Sequence, residues 1–118
     1  MTKNEKDLLL KDLCARVPYG VWIEAKLKDC PFSAKCMLNT RNAGDITLIE
    51  IGQYDFYKPY LFPLSSMTEE QECQYREVIA SSLNHYEVYD WLNANHLDYR
   101  GLIEKSLALD ATNLGIYE

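Results

Sequence analysis

His96, Asp98, Tyr99 and Arg100 crowd five positions of the chain. An imidazole, a carboxylate, a phenol and a guanidinium form a set from which an acid, a base and an anion clamp can be drawn. The same residues have a purely structural use: Asp98 caps a following helix, Arg100 pairs with an acid and Tyr99 packs. No Gly-rich phosphate loop, Gly-x-Ser-x-Gly elbow, His-Glu-x-x-His helix or dinucleotide fingerprint accompanies them. The residues therefore assign no catalytic group, and the chain reads as a binding protein in preference to an enzyme, with a small enzyme of unknown reaction as the third reading after two binding surfaces.

Cysteine is the other chemistry-bearing residue type, at Cys14, Cys30, Cys36 and Cys73. Cys30 and Cys36 are separated by five residues, wider than a zinc knuckle, and no second close Cys/His pair follows; His85 and His96 lie far down the chain. The expectation is four reduced, mostly buried thiols with no metal and no cofactor.

The elements that must position these groups follow from local patterns. Thr2-Lys-Asn-Glu5 fits a capping box, and Leu9, Leu10, Leu13, Cys14 and Val17 recur at helical steps until Pro18 stops them. From Tyr19 the period becomes two, with Val21, Ile23, Ala25 and Leu27 on one face and Trp22, Glu24, Lys26 and Lys28 on the other. The first set should be buried and the charged residues exposed. Ala34, Cys36 and Leu38 continue the alternation in a second strand.

After the Arg41–Asp45 turn, Ile46–Gln53 is expected to return as a third, antiparallel strand, with Tyr54–Pro59 a bend and Tyr60–Phe62 a short edge strand. Overlapping capping boxes at Ser66–Glu69 and Thr68–Gln71 start a helix with a buried stripe of Tyr75, Val78, Ile79 and Leu83. Tyr86–Asn95 reads as helical, Asp98 as the cap of a last helix through Leu102, Ile103 and Leu107, and 110–118 as a loose tail. The order gives a single α+β domain over 1–118: a small antiparallel sheet or partly open barrel of three to four strands, preceded by one helix and followed by two to three.

Net charge is −6, concentrated in residues 60–118, where three Lys/Arg stand against ten Asp/Glu. That balance argues against phosphate-driven nucleic-acid binding and permits a basic protein partner. The start lacks the basic head and long apolar middle of a secretory signal. The longest uncharged run, Pro59–Thr68, is too short to cross a bilayer. The expectation is a cytoplasmic protein with no membrane contact.

Two surfaces stand out as binding candidates. Nine tyrosines is a high count for 118 residues, and Tyr54, Tyr57 and Tyr60, interleaved with Phe56 and Phe62, offer aromatic anchors to a protein partner or a second copy of the chain. The outward face of the first two strands offers Trp22 with Lys26, Lys28, Lys35 and Arg41, a stacking ring among cations that would suit single-stranded nucleic acid. The tyrosine-rich surface is the preferred of the two.

The segments Leu8–Arg16 with Pro18–Val21, Lys58–Leu61 with Ser65–Glu69, and Asp90–Ala94 with Asp98–Lys105 resemble those of a group of small proteins of gut bacteria and their phages that carry no assigned activity. The resemblance implies a bacterial, phage or mobile-element origin. It transfers no cofactor and no site residue, and it fades over residues 26–57.

Overall fold

The computed structural model describes residues 2–50, 52–81 and 86–117. Helix α1 (Lys3–Arg16) starts at the expected capping box: Glu5 donates its backbone N–H to the Thr2 hydroxyl at 3.1 Å, and Thr2 donates its own to the Glu5 carboxylate at 2.9 Å. Leu9 and Leu13 form its buried face. A 3₁₀ turn over Val17–Tyr19 then ends the helix, with Pro18 at its start and Gly20 closing it. Gly20 sits at φ +76°, and a Cβ there would lie 3.1 Å from the Met37 sulfur, so glycine is required at this entry to the sheet.

Strand β1 (Val21–Leu27) pairs antiparallel with β2 (Ala34–Leu38), Val21 opposite Leu38 and Ala25 opposite Ala34. Val21, Ile23 and Leu38 are buried as the alternation requires. Leu27 is not: it is 47% exposed, because β1 loses regular pairing there and runs past the core. Glu24 and Lys26 are half-buried rather than open to water, and Lys28 is exposed.

The expected third strand, Ile46–Gln53, is absent from the sheet. Residues Asp45–Glu50 form a short helix, α2, which packs against α1 and the sheet and buries Ile49 in the core. Ile46 and Thr47 donate backbone N–H groups to Ala43 and Gly44, so the turn winds directly into a helix. Local β propensity loses here because the place beside β1 is taken by a later segment. Ile51 lies outside the described residues.

That later segment is the expected bend. Tyr54–Pro63 forms the longest strand, β3, whose first half pairs antiparallel with β1 and whose second half pairs in parallel with two short strands, β4 (Leu97–Asp98) and β5 (Leu109–Asp110). Two prolines do not exclude a central strand: Pro59 is buried opposite Ile23, and Pro63 stands at the strand end. Tyr57, Pro59 and Leu61 alternate onto the core face. The result is an α+β fold around a mixed five-stranded sheet, not a wholly antiparallel one and not a closed barrel.

Helix α3 (Glu69–Ser81) opens on the Thr68–Gln71 box, whose two reciprocal bonds are both 3.1 Å. The overlapping box at Ser66 does not form, since that hydroxyl donates to the Pro63 carbonyl instead. Helix α4 (Tyr86–Ala94) follows, and His96, in the left-handed region at φ 58°, turns the chain into β4. The last expected helix is replaced by consecutive turns over residues 102–106. Asp98 still caps them, accepting the N–H groups of Leu102 and Ile103 at 2.9 Å each. The tail is tied down at two points: Ala111 donates its N–H to Leu61, and the Tyr117 hydroxyl accepts from the Trp22 N–H at 3.0 Å and donates to the Tyr60 carbonyl at 2.8 Å.

One core lies between α1, α2 and the sheet, closed by Leu102, Leu107 and Ala108 from the turns. Helix α3 contributes no buried residue: Tyr75 and Val78 are half-buried and Ile79 is 50% exposed, while Leu83 lies outside the described residues. The helix is held through α4, where the Tyr75 and Trp91 rings stack 5.6 Å apart at 8°. The molecule is accordingly elongated, 48 × 29 × 27 Å, and no helix among the described residues is long and apolar enough to cross a membrane.

Candidate binding groove

The five aromatic residues expected to form a docking surface are distributed over both faces of β3. Tyr57 is 2% exposed and belongs to the core, and Tyr54 packs beside it, edge to face at 5.0 Å. Residues three apart on a strand ordinarily face opposite ways; the pairing skips Asp55, and this bulge brings Tyr54 back to the side of Tyr57. Phe62 packs against Tyr117. Phe56 and Tyr60 lie on the other face, which is that of Trp22, Lys26 and Lys35.

The structure thus joins halves of the two expected surfaces, and it neutralises much of the result. Lys26 pairs with Asp55, and Glu24 accepts from Ser33 and from the Tyr60 hydroxyl. Ammonium groups already cover two rings, Lys35 over Trp22 at 5.2 Å and Lys58 over Phe56 at 5.8 Å. Lys28 and Arg41 are exposed. A nucleic-acid base stacking on Trp22 would have to displace a cation that is already there.

The crowded residues of the 96–100 segment do not converge. Asp98 is consumed as a backbone cap, and His96 turns toward the tail, stacked on Tyr117 with ring centres 3.7 Å apart. Its Nδ1 is buried with no hydrogen-bond partner among the described residues. Burial, and after it the Arg16 charge, pushes the imidazole down to about 4 from its ordinary 6.5. Burial likewise pushes the Tyr117 phenol up to about 12, which keeps it a donor to Tyr60.

The His96 shift has a definite sign in stability. Because the folded value lies below the unfolded one, the unfolded chain binds the extra proton between them, so stability is full above pH 6.5 and declines as pH falls toward about 4. His96→Asn keeps a side chain suited to the left-handed backbone and removes this proton. Urea midpoints at pH 7.5, 5.5 and 4.5 should fall less in the variant than in the parent. Identical pH dependence in the two proteins would exclude His96 as the source.

Tyr99 and Arg100 point the other way, into a groove of about 1070 Å³. Helix α1 supplies Lys11 and Ala15, α3 supplies Tyr75 and Ile79, and α4 supplies Tyr86, Tyr89, Asp90 and Asn93. A buried polar system under the groove orients its inner wall. Asp12 and Arg16, both fully buried, pair at 2.8 Å, and Arg16 also donates to the Leu97 carbonyl at 2.7 Å. Asp12 takes a second cation, Arg100, at 3.1 Å. Arg100 donates to the Tyr99 hydroxyl at 3.1 Å, and that hydroxyl donates to Asn93 at 2.9 Å. The Tyr99 ring has the Arg16 and Arg100 guanidinium carbons 5.4 Å and 4.8 Å from its centre, which fixes the plane it presents.

The outer wall is apolar and open. Tyr86 is 77% exposed, Ile79 50% and Tyr89 47%, and Tyr89 leans on Tyr99 at 5.3 Å. The tyrosine count pointed to aromatic anchoring by Tyr54, Tyr57 and Tyr60; the tyrosines that the structure gathers along this groove are instead Tyr75, Tyr86, Tyr89 and Tyr99, residues spread over 25 positions with no common spacing. The signal available in the sequence was the apolar stripe of α3, of which Tyr75 and Ile79 line this groove.

No disulfide joins the four cysteines; Cys14 and Cys73 are exposed, against the expectation of mostly buried thiols, and Cys30 and Cys36 are half-buried. Among the described residues no three His, Cys, Asp or Glu side chains gather as a metal site would require. Comparisons with protein-family models, with curated proteins and with solved structures find no match.

Proposed function

We propose that the chain is a non-catalytic binding module that takes a segment of a partner protein into the groove between α1, α3 and α4. The observation that carries this reading is the state of α3: a capped, regular helix of 13 residues that fully buries no side chain, with Tyr75 and Ile79 of its apolar stripe lining an open groove. Folding alone does not favour leaving Ile79 half in water, since full burial of such a side chain is worth roughly 1.5–3 kcal/mol. Aromatic side chains with polar tips tolerate that exposure and become anchors when a partner covers them. Four thiols, none of them in a disulfide, fit action in a reducing compartment such as the cytoplasm.

Selection of displayed random heptapeptides on the folded chain tests the reading, with a Tyr89→Ala, Ile79→Asp double variant for counter-selection. Both positions are substantially exposed, so the variant should keep its circular dichroism spectrum. Peptides with apolar or aromatic residues should enrich on the parent and not on the variant. Absence of enrichment, or equal enrichment on both, would overturn the groove as a docking site. A salt-sensitive oligonucleotide affinity abolished by Lys35→Glu would move the function to the sheet face.

A further inference from the structure

Within a chain of net charge −6, the polar wall of the groove carries two cations, Lys11 and Arg100, against one acid, Asp90. This local inversion is built, not incidental. Asp12 bears one negative charge and faces two guanidinium groups, Arg16 and Arg100, so the buried cluster beneath the groove has a surplus positive charge. Arg16 is wholly buried, whereas the Arg100 side chain is 18% exposed and lines the groove, so the surplus is offered there. Arg100 uses Nε and one Nη2 hydrogen for Asp12 and Tyr99, which leaves further donors of its five for a ligand. Lys11 is exposed one position before Asp12 on α1, and no ion pair among the described residues includes it.

Resting on the groove as the docking site, we propose that the partner segment is recognised through a carboxylate, an acidic side chain set among apolar ones, that bridges Lys11 and Arg100 while its neighbours cover Tyr89 and Ile79. A guanidinium already fixed by Asp12 and Tyr99 loses little freedom on taking a carboxylate, and a hydrogen bond to a charged group is stronger than a neutral one. The acidic surface of the second half of the chain sets the upper limit. A run of several acids would be repelled within the screening distance of ~8 Å, so the segment carries one or two carboxylates and is otherwise uncharged or apolar.

The heptapeptides enriched in the selection above supply the probe. Their sequences should show Asp or Glu beside apolar residues well above the library frequency. The best of them, synthesised with acetyl and amide ends, should weaken about tenfold when its acid is changed to the amide, and further when changed to Lys. Lys11→Gln and Arg100→Gln should each shrink that acid-to-amide ratio toward one. Lys11 is exposed and in no ion pair among the described residues, so its variant keeps the test decisive if Arg100→Gln destabilises the fold. Enriched peptides lacking acids, or an acid-to-amide ratio unchanged in Lys11→Gln, would overturn the carboxylate proposal and leave the apolar groove standing. Failure of any peptide to enrich would overturn both.

Discussion

Asp12→Ala should lower the free energy of unfolding by about 3–5 kcal/mol. The carboxylate is fully buried and is the counter-ion of Arg16 at 2.8 Å and of Arg100 at 3.1 Å. Removing it leaves the Arg16 guanidinium in the interior with the Leu97 carbonyl as its remaining hydrogen-bond acceptor, while its Nη1 already has none. A charge so placed cannot be rehydrated without opening α1 from the sheet. For a domain of this size, the loss corresponds to a fall in Tm of more than about 10 °C. Replacing the pair together, Asp12→Leu with Arg16→Met, should restore a good part of the loss, because two apolar side chains need no counter-charge. Thermal unfolding of the three proteins checks this; an Asp12→Ala variant within 1 kcal/mol of the parent would mean that water reaches the cluster.

Leu61→Ala should cost about 2–5 kcal/mol by removing methyl groups from a position with no exposure. Leu61 lies where β3 passes from its pairing with β1 to its pairing with β5, opposite Asp110, and its carbonyl accepts the Ala111 N–H. The cavity would therefore loosen both the core and the anchorage of the tail. Ile79→Ala, on the uncovered face of α3, deletes a comparable side chain at 50% exposure and should cost less than about 0.5 kcal/mol. Denaturant unfolding of the two variants measures the contrast. Similar losses in both would show α3 to be part of the core, and the groove would then lose its status as an open surface.

What the sequence determined by itself is what neighbours along the chain can decide. Thr2 with Glu5 and Thr68 with Gln71 close reciprocal bonds over three residues, so two helix starts were legible as spacing. Pro18 ends α1 by steric exclusion, the alternation from Val21 and from Ala34 needs only the pleat, and Asp98 caps the next turn by reaching four residues ahead. The α+β class followed from the order of these elements.

Tertiary structure alone decided the competition for the place beside β1. Ile46–Gln53 has the better strand composition, yet Tyr54–Pro63 takes the position, because it can bury Tyr57, Pro59 and Leu61 on one face and pair with β4 and β5 beyond the reach of β1. That outcome sent Ile49 into a helix, drew Tyr54 and Tyr57 out of the expected docking surface, and left the stripe of α3 with no sheet to cover it. Asp12 and Arg100 meet across 88 positions for the same reason. A local pattern specifies which face of an element is apolar; which apolar faces find each other, and which one stays uncovered, depends on contacts between residues far apart in the chain.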